Sequence, residues 1–275
     1  PFLAMNPFSS RCCQHNHAQG WPYYAEHLIL ATPDNGVAAA MYAACKATVK
    51  VGDGNEISLH EQTNYPFEET IRFTVNTPKA VSFPFYLRIP SWTEGATIFV
   101  NGKKVAANPE AGQYACINRE WKDKGQGEIQ LPMQLSMRTW QVNKNSVSVD
   151  YGPLTMSLKI DEDYVKKDSR ATAIGDSKWQ EGADASQGPT YETYAKTPWN
   201  YALVRGKNEP LKDFKVVHKE WPADNFPFTV ASTPIEVKAI GRKVPSWVID
   251  QYDLCSELPE MDAPKGEKEE ITLIP

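Results

Sequence analysis

The chain has 275 residues, of which 41% are hydrophobic and 23% charged, with a net charge of -5 at pH 7. That composition describes a globular chain with material for one or two domains and excludes a long disordered polymer. The acidic balance speaks against a nucleic-acid partner, which needs a basic face. No apolar run reaches the roughly 20 residues a membrane-spanning helix requires.

The first ten residues, PFLAMNPFSS, read as loop, because Pro7 and the serine pair oppose a helix. They lead into RCCQHNHAQGWPYY, Arg11 to Tyr24, where two thiols, two imidazoles and an indole fall within a dozen positions. Pro22 suits the first position of a helix, where its missing N–H costs nothing. Tyr24, Leu28 and Ala31 then recur at helical spacing, which predicts a helix of about ten residues. Thr32-Pro33-Asp34-Asn35-Gly36 should end it.

From Val37 the hydrophobic period changes to two. Strands are predicted around 48–51, 56–60, 71–75, 85–89, 97–100, 114–117, 128–131, 146–149 and 154–160. Gly52-Asp53-Gly54 is a tight-turn sequence, and Asn101-Gly102 is a strong short-range hairpin signal. Residues 161–190 are polar and weakly periodic, which predicts a surface excursion with a weak strand or two. Strands resume at 199–205, 214–219 and 235–240, then an acidic, proline-containing linker over 256–270 precedes a last strand, Ile271–Ile274. Half-buried strands with polar turns between them mean antiparallel sandwiches, not a βαβ protein.

Five cysteines, at 12, 13, 45, 116 and 255, are odd in number and sparse, so this is no disulfide scaffold. Cys45 and Cys116 lie in strand-like runs and read as small buried hydrophobes. The adjacent pair Cys12-Cys13 leaves three options: a strained disulfide ring, two inert core thiols, or thiolates held by a metal or a positive field. Two sulfur ligands would leave a tetrahedral zinc short of two more, and the spacing is not that of a structural finger. His15 and His17 are either turn residues bonded to carbonyls or ligands. Trp21, Tyr23 and Tyr24 are either core or a sugar platform. Glu26 and His27 read as solvated or capping groups. The motifs of nucleotide-binding loops and serine hydrolases are absent.

Taken together, RCCQHNHAQGWPYY, EQTNYPFEETIRF, FYLRIPSW, VNGKKV, YGPL, TPWNYAL, GRKVPSW and ITLIP resemble glycoside hydrolase family 127, which is β-L-arabinofuranosidase-like. The resemblance implies an all-β chain of two jelly-roll-like sandwiches preceded by the short helical tail of an (α/α)6 barrel. The tail is expected over residues 1–33, the sandwiches over 34–138 and 139–265, and a strand over 266–275 that returns to the first sandwich. It further implies a zinc ion held in part by Cys12 and Cys13, with Cys12 also the nucleophile. A furanoside or related glycan, plant-type among them, would be the substrate. The acid/base residue and the other zinc ligands would lie upstream, in an N-terminal barrel domain. Proximity to Cys12 adds His15, Asn16, His17 and Trp21 as substrate contacts. The alternative is a non-catalytic sandwich module that binds carbohydrate or supports a neighbouring domain, with Trp92, Trp140, Trp179 and Trp221 as candidate platforms.

Overall fold

The computed structural model describes residues 2–3, 12–105, 109–168, 184, 186, 190–251 and 254–275, with side chains described from Asn16 and then from Gln19 onward. The chain opens with a two-residue strand, β1 (Phe2–Leu3), and one helix, α1 (Cys12–Glu26). Twelve strands lead to the middle of the chain: β2 (Ile29–Ala31), β3 (Val37–Ala39), β4 (Cys45–Val51), β5 (Asn55–Gln62), β6 (Thr70–Asn76), β7 (Val81–Arg88), β8 (Thr97–Val100), β9 (Lys103–Lys104), β10 (Tyr114–Trp121), β11 (Gly125–Gln130), β12 (Leu135–Trp140) and β13 (Ser146–Tyr151). β14 (Leu154–Leu158), β15 (Glu162–Lys167), β16 (Thr190–Ala195), β17 (Tyr201–Leu203), β18 (Lys215–His218), β19 (Ile235–Lys243) and β20 (Lys268–Ile274) complete it. The all-β reading holds: α1 is the single helix among the described residues.

The chain divides into two units, one of residues 19–136 with 150–154 and the other of residues 1–18, 137–149 and 155–275. In the first, a four-stranded sheet, β10-β7-β3-β2, and a six-stranded sheet, β4-β5-β6-β11-β8-β9, share one core. Alternation builds it. Ile57 and Leu59 on β5, Ile71, Phe73 and Val75 on β6, and Phe83, Phe85 and Leu87 on β7 all point inward and are buried. Phe73 meets Phe85 edge-on at 5.1 Å, and Phe83 stacks on Trp121 at 5.9 Å. Burying each such ring contributes about 2–3 kcal/mol, so this layer carries the stability of the unit.

Turn chemistry sets the registers. Asn101 and Gly102 both adopt positive φ, 48° and 75°, and pair Val100 with Lys103 in a two-residue hairpin. Gly36 precedes β3, where an added Cβ would lie 2.3 Å from the Pro84 carbonyl oxygen. Only a residue without a side chain lets the two backbones approach there.

The second unit holds a seven-stranded antiparallel sheet, β12-β13-β14-β20-β19-β17, with β18 also on β19, and a three-stranded sheet, β1-β16-β15. Val237, Ala239, Ile271 and Leu273 are buried along the β19–β20 ladder, where Val237 faces Leu273 and Ala239 faces Ile271.

Several expectations are corrected. The helix does not start at Pro22 but spans Cys12–Glu26 with Pro22 inside. A proline inside a helix removes one backbone donor and crowds the carbonyl four residues back, and the helix ends four residues beyond it. Leu28 and Ala31 lie beyond the helix, Ala31 as the end of β2. Phe2 and Leu3, read as loop, pair with Thr193 and Glu192 of β16; residues 4–10 lie outside the described residues. The final strand does not return to the first sandwich. It pairs with β14 and β19, where its apolar residues meet buried ones. Cys45 is half-buried and Cys116 exposed, because the inward positions of β10 are taken by Ala115 and Ile117, and Cys116 falls between them. β2, β3, β12 and β16 were not predicted as strands.

Candidate functional site

Cys12 and Cys13 open α1, in the turn where backbone N–H groups have no partner within the helix. That end of a helix carries partial positive charge and favours a thiolate over a thiol. The side chains of Cys12, Cys13, His15 and His17 lie outside the described residues, as does all of Trp179. Asn16 is exposed, and Trp21, 63% exposed, meets Tyr24 edge-on at 6.4 Å. Trp21, Tyr23 and Tyr24 are therefore not core residues of the described chain. At the far end of α1, the His27 ring nitrogen Nδ1 lies 2.6 Å from the Tyr23 carbonyl oxygen, the capping role expected of it.

Sequence reasoning missed a second cluster, just beyond the helix. The Tyr24 hydroxyl donates to the Tyr42 carbonyl at 3.4 Å, and the Tyr42 hydroxyl to the Arg88 carbonyl at 2.5 Å. Glu61, wholly buried, accepts from the Ala43 N–H at 3.1 Å, and the Cys45 sulfur lies 3.9 Å from its second oxygen. Burial raises the Glu61 carboxyl to about 8, against the smaller opposing effects of the Ala43 and Cys45 hydrogen bonds. Burial, then the neighbouring Glu61, pushes the Cys45 thiol up to about 11. At neutral pH the cluster is thus an uncharged carboxylic acid, a thiol and phenols that join the segment after α1 to β5. The signal was present in the sequence: in NEISLHEQ, Glu61 occupies the face of Ile57 and Leu59.

Among the described residues, no three His, Cys, Asp or Glu side chains gather as metal ligands do. No helix among the described residues is long and apolar enough to cross a membrane. Of the candidate tryptophan platforms, Trp92 is partly buried against the core, the Trp221 indole donates to Asn225, and Trp140 is 45% exposed beneath the Arg138 guanidinium.

Two β units, antiparallel apart from the parallel β3–β7 pair, following a cysteine-bearing helix in the sequence define the chain as an all-β protein of sandwich type. Residues 36–133 match the family described as beta-L-arabinofuranosidase, GH127 middle domain. The fold is similar to that of a GH127 β-L-arabinofuranosidase from Geobacillus stearothermophilus, with a TM-score of 0.61 and 22% identity over 96% of this chain and 34% of that one. It is also similar to a glycoside hydrolase (TM-score 0.64, 22% identity, 98% of this chain and 37% of that one) and a GH127 β-arabinofuranosidase (0.60, 18%, 100% and 38%). No curated protein sequence matches the chain. The resemblance to glycoside hydrolase family 127 thus stands on sequence over residues 36–133 and on fold over nearly the whole chain. The chain spans little more than a third of the length of these solved structures.

Proposed function

We propose that this chain is part of a longer retaining glycoside hydrolase that acts on β-L-arabinofuranosides or a related glycan. The observation that carries the reading is the order of parts: a cysteine pair opening a helix, followed directly by a GH127 middle domain. Cys12 is the nucleophile, and Cys12 and Cys13 are the ligands this chain gives to a zinc ion. Cys12 and Cys13 would hold the zinc ion, whose charge, with the positive end of α1, would keep the Cys12 sulfur deprotonated at neutral pH.

The reaction then runs in two displacements. The Cys12 sulfur attacks the anomeric carbon as the glycosidic C–O bond breaks, and a carboxylic acid outside this chain protonates the leaving oxygen. Water next displaces the sulfur from that carbon, giving its proton to the same carboxylate. Two inversions retain the anomeric configuration. Asn16 and Trp21, exposed on the helix that follows the nucleophile, contact the sugar together with His15 and His17 in this reading.

Support comes from the donor chemistry at the start of α1 and from the relatives' printed activity. The test uses the longer protein: zinc content by mass spectrometry, and hydrolysis of an aryl β-L-arabinofuranoside by wild type and Cys12→Ala. One zinc per chain and a loss of at least ~10³-fold in turnover are expected. Unchanged turnover in Cys12→Ala would overturn the assignment of the nucleophile. The 275-residue chain alone is expected to hydrolyse nothing.

A further inference from the structure

The outer face of the six-stranded sheet carries a groove of about 350 Å³ across β5, β6, β11 and β8, rimmed by the Asn101-Gly102 turn. We propose that this groove binds a neutral oligosaccharide, independently of the cysteine chemistry.

The strand registers assemble it. Gln62 faces Arg72, Arg72 faces Glu128, and Glu128 faces Phe99, which makes one continuous row across four strands. The next row places His60, Thr74 and Gln126 side by side. Ile71, Phe73, Ile98 and Ile129 fill the core between them, so alternation sends this polar set outward.

The chemistry differs from that of an ordinary solvated sheet face. Such faces are rich in lysine and glutamate. Here lysine is absent from the groove lining and falls on the edge strands, as Lys46 and Lys50 on β4 and Lys103 and Lys104 on β9. The lining is instead amide, guanidinium and carboxylate, planar groups whose paired donors and acceptors match neighbouring hydroxyls.

The centre is also held in place. Arg72 Nε donates to Glu128 at 3.0 Å, and the Gln130 amide donates to the other Glu128 oxygen at 2.9 Å. Glu128 is thereby fixed, while the terminal nitrogens of Arg72 and the side-chain amides of Gln62 and Gln126 make no hydrogen bond among the described residues. Phe99, half-buried in the same row, offers a flat apolar face for the C–H side of a sugar ring. Opposite charges in the groove balance, which favours a neutral ligand over a uronate or a phosphate.

The choice of arabinose oligomers as the first probe rests on the glycosidase reading; the groove does not. Titration calorimetry of the 275-residue chain should use arabino-oligosaccharides of three to five sugars, with xylo-, cello- and galacto-oligosaccharides in parallel. Saturable heat is expected with one of these classes, weakened at least tenfold by Arg72→Ala and by Phe99→Ala and unaltered by Lys50→Ala on the edge strand. Should Phe99→Ala fail to fold, Phe99→Leu keeps apolar volume without the flat ring and is expected to weaken binding as well. Binding to a glycan other than arabinan would uphold the groove while counting against the arabinofuranoside substrate. No saturable heat with any of the four classes, or heat insensitive to both Arg72 and Phe99 variants, would overturn the proposal.

Discussion

Replacing Glu61 by glutamine should change how the stability of the first sandwich depends on pH. The carboxyl is wholly buried and its burial raises it from 4.5 to about 8. Below about pH 4.5 both the folded and unfolded chains hold this proton, and its contribution is constant. Between about 4.5 and 8 only the folded chain holds it, so the unfolded state binds fewer protons and stability falls as pH rises; above 8 the loss is complete. At about 1.4 kcal/mol for each pH unit, the ceiling on that loss is ~5 kcal/mol, lowered in practice where water enters the site. The groups that face Glu61 do not confuse the window: Cys45 is raised to about 11, and Tyr24 and Tyr42 are raised above 10 by burial. Glutamine keeps an oxygen for the Ala43 N–H and has no proton to lose. Urea denaturation from pH 5 to 9 should therefore show the two proteins within ~1 kcal/mol at pH 5 and Glu61→Gln more stable by a few kcal/mol at pH 9. Other titrating groups are common to both and cancel in the difference. Parallel curves across the range would refute the argument, since they would mean that Glu61 ionises in the folded state as it does in water.

Glu236 should behave in the opposite sense. Burial alone would raise its carboxyl, but Lys159 at 3.0 Å, with Lys238 and Lys219, overcomes that and holds it below the usual value. Its contribution is present above about 4.5 and lost as pH falls below. Glu236→Gln should cost ~1–3 kcal/mol at pH 7, measured by urea denaturation, with the gap closing toward pH 3. Gly36→Ala sets a methyl against the Pro84 carbonyl and ring, and should lower stability by ~3 kcal/mol or more or abolish cooperative thermal unfolding. Asn101→Ala forces a residue poorly suited to positive φ into the hairpin and removes the 2.8 Å hydrogen bond that the Gln126 N–H donates to the Asn101 side-chain oxygen. A loss of ~1–2 kcal/mol is expected, read from the thermal midpoint.

What could be read in the sequence follows from range. Alternation is local, so Ile57-Ser58-Leu59 or Ile71-Arg72-Phe73 announces a strand and its buried face without knowledge of any partner. Asn101-Gly102 likewise fixes its own turn, and the observed register of Val100 on Lys103 follows from two residues. Pairing between distant strands has no such local mark. Ile271-Thr272-Leu273 is an equally good strand against any apolar ladder, and only the match of Ile271 to Ala239 and Leu273 to Val237 selects its true neighbour. The helix was misplaced for a related reason: Pro22 is compatible with a first position and with an interior one, and the preceding turns decide between them.

The same distinction separates the two kinds of site. The cysteine pair was conspicuous because its unusual groups are adjacent in the chain. The Glu61 cluster and the outer groove are built from residues that look ordinary one at a time. A glutamate in a strand is unremarkable until its neighbours at 57 and 59 show which face it shares. Arginine, glutamine and phenylalanine on separate strands become a surface only after Gln62, Arg72, Glu128 and Phe99 come into one row. Chemistry carried by a motif is therefore open to sequence reading, whereas chemistry carried by a sheet register is not.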